Sequence, residues 1–278
     1  MPEEAWGEGT PAASIRTTCP YCGVGCGVLA TPDGRGGAAI RGDPEHPTNA
    51  GRLCSKGSAL GETLGLETRL LHPIVDGART NWAHALDQVA RRLQAIRTAH
   101  GPESIAFFLS GQLLTEDYYV ANKLMKGFLG SANVDTNSRL CMASSVAGHR
   151  RAFGADVVPH CYDDLELADL VVLAGSNAAW CHPILYQRIQ TARGERGMRV
   201  VNIDPRRTAT SEGVDLQLSI KPGTDGVLWS GLLVWLAEHR LIDTEFINAH
   251  TQGFFAALLA ARAIAPTLAA TAAATGLD

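Results

Sequence analysis

The sequence predicts an α/β fold in two parts: a small β-rich domain over residues 14–72, then a parallel-sheet α/β region over 73–278. Residues 14–72 are rich in Gly, Pro, Cys and Thr, with short apolar stretches between turn residues. Beyond residue 73, short apolar runs alternate with helical stretches, the pattern of strands joined by helical crossovers. A length of 278 residues fits roughly two domains.

In the first part, 27–30 and 38–40 read as strands around a turn at Pro32-Asp33-Gly34. So few apolar residues could not hold this sheet alone, so a cross-link or bound group is expected to staple it. In the second part, 104–109 reads as a strand. Thr115 is placed to cap a helix running to Lys126, with Glu116 and Asp117 in its first turn and Gly130 beyond its end. Strands are expected at 170–173, 199–203 and 216–220, and helices at 183–193 and 226–238. The last thirty residues are Ala-rich and read as helical.

Composition narrows the class. Hydrophobic residues make up 46% and charged residues 19%, which suits a globular protein with a sizeable core. A net charge of −4 implies no nucleic-acid partner. No apolar run approaches the ~20 residues of a membrane span, so no membrane partner is expected. Residues 1–10 are acidic and lack both an apolar stretch and a twin-arginine pair. The expectation is a cytoplasmic protein with reduced thiols.

Four cysteines carry the first chemical signal. Cys19, Cys22 and Cys26 form a Cys-x2-Cys-x3-Cys run, and Cys54 follows after 27 intervening residues. Short spacings let three thiolates face one small volume, and the glycines among them let the backbone turn tightly. Four thiolates match a cubane iron–sulfur cluster, one per iron. Structural zinc and disulfides stay open on spacing alone. Zinc favours a second Cys-x2-Cys knuckle where this chain offers one cysteine, and disulfides need an oxidising compartment.

Three strand-end loops carry the second signal, since ligands of parallel sheets sit beyond the carboxyl ends of strands. The run at 170–173 leads into Gly175-Ser176-Asn177, with Trp180 and His182 close behind. The run at 200–203 ends in Asp204-Pro205-Arg206-Arg207, where an acid suits ribose hydroxyls and arginines suit phosphates. The third loop is Pro222-Gly223-Thr224-Asp225, whose carboxylate could accept from a purine amino edge. Each loop alone is more often an ordinary turn and helix cap. Three in sequence point to one nucleotide site.

Taken in order, the Thr18-to-Cys26 run, Cys54-Ser55-Lys56-Gly57, Gly175-Ser176-Asn177, Asp204-Pro205-Arg206-Arg207 and Pro222-to-Asp225 resemble the molybdopterin oxidoreductase family over about residues 14–265. That family includes formate dehydrogenases and the molybdenum nitrate reductases of bacteria. The resemblance implies a 4Fe-4S cluster on Cys19, Cys22, Cys26 and Cys54, and a molybdenum bis(molybdopterin guanine dinucleotide) cofactor. It aligns Cys141 with the molybdenum ligand and places Lys56 between cluster and pterin. It points Gln112 and Asn137 at the pterin. Gly175, Ser176, Asn177, Asp204, Arg206, Gly223, Thr224 and Asp225 take its nucleotide contacts. Taken alone, Cys141 would default to a buried inert thiol, Lys56 to a solvated side chain, and Gln112 and Asn137 to satisfied loop amides.

The segment Arg139-Leu140-Cys141-Met142-Ala143-Ser144 is similar to nitrate reductases of the assimilatory kind and resembles the periplasmic nitrate reductases too. The periplasmic kind is exported by a twin-arginine signal, which this sequence does not show, so the assimilatory kind is expected. Formate dehydrogenases carry His where this chain has Met142. The resemblance therefore implies reduction of nitrate to nitrite by oxygen-atom transfer, with electrons delivered through the cluster. The donor would be a ferredoxin, a flavodoxin or an NADH-linked reductase. A formate dehydrogenase-like enzyme and a non-catalytic iron–sulfur electron-transfer module are the other readings. An intact Cys141 and three intact loops speak against the module. Cys161 and Cys181 match no ligand pattern, His46 reads as a turn residue, and His149 as a structural residue on a helix after Cys141. Catalytic chains of the family are far longer, so the expectation is an N-terminal portion of one.

Overall fold

In the computed structural model, residues 13–111 and 113–278 are described. They group into two compact units. One gathers the described residues up to Leu64 together with His160–Asp278, and the other is Gly65–Pro159.

The cysteine-rich segment is a three-stranded antiparallel sheet: β1 (Ile15–Thr18), β2 (Gly27–Pro32) and β3 (Ala38–Gly42), in the order β1-β2-β3. Thr18 pairs with Gly27 at the end of the β1–β2 ladder, and the Cys19 N–H donates to the Cys26 carbonyl at 2.9 Å. The whole run 19–26 is thus one hairpin loop. Gly25, at φ +74°, supplies the left-handed turn that a side chain would resist. The β2–β3 turn is organised by Asp33, whose Oδ1 accepts from the N–H groups of Arg35 and Gly37. Those bonds hold the Asp33 carboxyl below the usual range. Cys54 immediately precedes the short helix α1 (Ser55–Ser58).

The second unit opens with a small hairpin, β4 (Ile74–Val75) and β5 (Ala78–Arg79). It continues into α2 (Trp82–His100), capped by Asn81 Oδ1, which accepts from the His84 N–H at 2.9 Å. Strands β6 (Phe107–Leu109) and β7 (Val134–Thr136) pair in parallel. Between them, α3 (Thr115–Asn122) passes into a π-helical stretch, Lys123–Leu129, which stops at Gly130 with φ +83°. The short α4 (Ser138–Cys141) and α5 (Ala143–Phe153) follow. Ile105, Met125 and Leu129 form the core of this unit, with Leu93 of α2, Phe107 and Val134 packed on it.

The first unit resumes with α6 (Asp164–Leu167), β8 (Leu170–Ala174), α7 (Ala178–Cys181), α8 (Pro183–Arg196), β9 (Arg199–Ile203) and β10 (Leu216–Leu218). The strands form a parallel sheet in the order β10-β9-β8. Val171, Ile189, Ala192, Met198 and Val200 make the core between α8 and this sheet. The chain ends in α9 (Asp225–Glu238), α10 (Thr244–His250), α11 (Phe254–Ile264) and α12 (Leu268–Thr275), with α11 and α12 packed on α9. Among the described residues, no single helix is long and apolar enough to cross a membrane.

The α/β architecture with parallel strands is present, and several details differ from the sequence expectation. The strand expected at 104–109 begins only at Phe107, because Pro102–Ser104 coil into a 3-10 turn. Thr115 is the first helical residue and not the cap. Leu114 holds the cap position, and its N–H donates to Asp117 Oδ2 at 3.2 Å. The third strand stops at Leu218, and the Lys221 N–H turns to meet the Thr275 carbonyl at 2.8 Å. The helix over 82–100 was not anticipated, although Asn81, the apolar positions 82, 86, 89, 93 and 96, and Gly101 all signal it.

Candidate functional site

Cys19, Cys22, Cys26 and Cys54 line one pocket, completed by Tyr21, Val24, Leu53, Gly57, Pro183 and Ile184. All four thiols are free, Cys26 is buried and the other three are half-buried. The hairpin loop delivers three of them, and the turn into α1 delivers the fourth. Burial pushes the Cys26 thiol up to about 11, and the neighbouring Cys22, Cys19 and Cys54 push the same way. Among the described residues, no three His, Cys, Asp or Glu side chains converge as they would on a single metal ion. The four thiols surround a space instead. Soft sulfur donors around an apolar-walled space fit an iron–sulfur core, which places each thiolate on a different iron.

Residues outside the cysteine motif shape this pocket. Pro183 and Ile184, from the first turn of α8, form one wall, with Ile184 only 1% exposed. The Tyr162 hydroxyl donates to the Val24 carbonyl at 3.1 Å, inside the cysteine loop. His46 packs its ring where a Cβ on Gly27 would lie 2.3 Å away, so only glycine fits beside Cys26. Asn49 and Arg188 brace the same region by hydrogen bonds. The sequence reading gave none of these six side chains a role in the site. Their partners lie far away in sequence, so no local pattern marks them.

Of the three loops expected to meet a nucleotide, the first two directly follow β8 and β9, while the third begins at Pro222, a few residues past the end of β10 at Leu218. Gly175, at φ +60°, leaves β8 and donates its N–H to the Ile203 carbonyl at 2.8 Å. Asn177 Oδ1 accepts from the Thr210 hydroxyl at 2.9 Å. Asp204 follows β9 and turns its carboxylate onto the Arg206 N–H at 3.0 Å. Gly223, at φ +81°, shapes the third loop, where the Thr224 hydroxyl donates to the Lys221 carbonyl and Asp225 opens α9. One open pocket gathers Asn177, Trp180, Arg206, Arg207, Thr208, Ala209 and Glu212. Asn177 and Arg206 therefore line one pocket, while Asp204 and the third loop lie outside that lining. Thr208 Oγ1 in its wall is buried without a partner among the described residues. Two arginines, an aromatic face and an unsatisfied hydroxyl fit a phosphate-bearing nucleotide.

In the second unit, Asn137 follows β7 and Gly111 lies just past β6, so both stand at carboxyl ends of parallel strands. A Cβ on Gly111 would lie 2.8 Å from Asn137 Oδ1, which brings the two loops together. Gln112 lies outside the described residues. Cys141 ends α4, its N–H donating to the Asn137 carbonyl at 3.0 Å, and its thiol is exposed. An exposed thiol departs from the buried default for a lone cysteine and leaves the sulfur accessible to a metal. Lys56 is exposed on α1, two residues past Cys54. Cys161 and Cys181 are exposed and free.

The family model described as molybdopterin oxidoreductase Fe4S4 domain matches residues 12–64, and the model described as molybdopterin oxidoreductase matches 69–270. The chain belongs to the molybdopterin oxidoreductase family, whose cofactors are an Fe4S4 cluster and molybdopterin. It is 60% identical over 235 residues to a nitrate reductase of Klebsiella oxytoca, covering 84% of this chain and 27% of that protein. It is 35% identical over 245 residues to an F420-dependent formate dehydrogenase subunit alpha of Methanocaldococcus jannaschii, covering 86% of this chain and 35% of that one. Among solved structures, acetylene hydratase from Pelobacter acetylenicus superimposes with a TM-score of 0.81 at 25% identity, over 95% of this chain and 37% of that chain.

Proposed function

We propose that this chain is the cluster-bearing part of a molybdenum-dependent nitrate reductase. Cys19, Cys22, Cys26 and Cys54 would hold the 4Fe-4S cluster, and Cys141 would hold molybdenum. The observation that carries the electron-transfer role is the single pocket shared by four free thiols. Support for nitrate comes from Arg139-Leu140-Cys141-Met142 and from the 60% identity to a nitrate reductase.

When bound, the molybdenum cofactor supplies two-electron oxygen-atom transfer, which takes nitrate to nitrite. The residues of this chain have simpler tasks. Cys141 presents an accessible soft donor beside Asn137. Arg206, Arg207 and the Thr208 hydroxyl take phosphate or ribose oxygens, and Trp180 offers a face for the base. Asp204, Gly223, Thr224 and Asp225 would extend those contacts along the strand ends, and Gln112 and Asn137 would meet the pterin. Lys56 places a cation two residues from a cluster ligand, where it favours the reduced, more negative cluster. The finer reading is an assimilatory enzyme fed by a ferredoxin, flavodoxin or NADH-linked donor. Its assimilatory part rests on the Arg139–Ser144 segment, which resembles periplasmic nitrate reductases too, and any of the three donors would leave the same motifs.

Cys141→Ala in the molybdenum-loaded enzyme tests the assignment. The variant is expected to lose nitrate turnover while keeping the electron paramagnetic resonance (EPR) signal of the cluster, because the cluster ligands lie in the other unit. Full turnover in the variant overturns it. Lys56→Met is expected to lower kcat with reduced carriers more than it raises KM for nitrate.

A further inference from the structure

Asn49 is 2% exposed, and its amide uses every atom it can. Oδ1 accepts from the Gly27 N–H at 2.9 Å. Nδ2 donates to the Gly27 carbonyl at 3.0 Å and to the Arg52 carbonyl at 2.8 Å. The orientation of the amide follows from its partners, since one N–H needs an oxygen and two carbonyls need donors. Gly27 directly follows Cys26, and Arg52 stands two residues before Cys54. One side chain therefore ties the strand that directly follows Cys26 to the turn that carries Cys54. By chain alone, 27 residues separate those two cysteines. The loop bearing Asn49 is braced in turn. Arg52 donates its N–H to the Asn49 carbonyl at 2.9 Å, and Arg188 Nη1 donates to the Pro47 and Thr48 carbonyls at 3.2 and 3.1 Å.

We propose that Asn49 is a positioning residue for the iron–sulfur cluster, fixing the separation of the Cys26 and Cys54 thiolates before the cluster is inserted. The inference rests on the reading of the four cysteines as cluster ligands. Its physical basis is that a buried amide making three backbone bonds leaves little slack between the segments it joins. Without it, the Cys54 turn can drift from the hairpin loop, and the iron facing Cys54 becomes the corner most open to a chelator.

The test uses the whole 278-residue chain, loaded anaerobically with iron and sulfide. Asn49→Asp keeps the volume and the acceptor for Gly27 but replaces the NH2 group that donates to the Gly27 and Arg52 carbonyls with an acceptor oxygen. Asn49→Ala removes all three bonds without adding a buried carboxylate, and serves where the Asp variant does not fold. Both variants are expected to keep wild-type helical circular dichroism. Their iron should pass to a ferrous chelator about 10- to 100-fold faster, the scale for losing a partner behind a metal ligand. Their EPR spectrum should gain a three-iron species absent from wild type. Release at the wild-type rate with an unchanged spectrum overturns the inference while leaving the cluster reading intact. Iron loss matched by loss of helical signal assigns Asn49 to general folding and also overturns it. A wild-type chain that takes up no iron overturns the cluster reading itself, and the inference with it.

Discussion

Arg188 is buried, and its guanidinium donates to Glu166, Asp163 and the carbonyls of Pro47 and Thr48. Burial works against its charge, yet the bonds to Glu166 and Asp163 outweigh it and raise its pKa above the ordinary arginine value. Arg188→Met fills the space but leaves two carbonyls without donors. Urea unfolding of the cluster-free chain should show a loss of about 1 kcal/mol or more, the cost of leaving the part-buried Pro47 and Thr48 carbonyls without donors. Arg188→Lys should recover only part of it, because an ammonium cannot reproduce the planar fork. At this scale the sequence was legible where chemistry is written in spacing, as for Cys19, Cys22 and Cys26. It was silent on Arg188 and Asn49, because their partners lie 140 and 22 residues away and polar loop residues look alike in one sequence.

Helix α8 serves two structures at once. Its first turn walls the cysteine pocket through Ile184, and Ile189 and Ala192 further along pack on the parallel sheet. Its last turn is tied to the entry of β10 by Arg193, whose Nη2 lies 2.9 Å from Asp215 Oδ1, while Asp215 Oδ2 accepts from the Val200 N–H at 2.7 Å. Those partners, Arg193 first, hold the Asp215 carboxyl below its ordinary value. A depressed carboxylate stabilises the fold fully above its unfolded pKa, about 3.9, and loses that contribution as pH falls through the folded value. Asp215→Asn should therefore lower the urea midpoint by a constant amount from pH 5 upward, as an order-of-magnitude window around that pKa. The gap to wild type should close in more acidic buffer, and a gap that persists there would contradict the account of this pair.

A second element-scale prediction concerns α9 and α12. A Cβ on Gly231 would lie 2.2 Å from Thr271 Oγ1, and Thr271 is buried. Gly231→Ala should cost about 1–3 kcal/mol by overpacking, despite the better helix propensity of alanine. Thermal unfolding reads it directly. The parallel strands at 170–174 and 199–203 and the helix at 225–238 were legible because their apolar runs and flanking turns agree. The π-helical stretch at 123–129 was not, since its sequence reads as plain helix.

At the scale of the whole molecule, the cluster-bearing segment shares a unit with His160–Asp278, while Cys141 belongs to Gly65–Pro159. The chain spans 27% of the Klebsiella nitrate reductase and 35% of the formate dehydrogenase subunit it matches. Substrate choice is the claim on which those two relatives divide, and Met142 beside Cys141 is the local feature that favours nitrate. The most direct measurement is turnover by the molybdenum-loaded enzyme that contains this chain, assayed in parallel with nitrate plus a reduced viologen and with formate plus an oxidised one. The account predicts nitrite formation that depends on Cys141, with no formate oxidation above background. Formate oxidation by an enzyme that leaves nitrate untouched would contradict it.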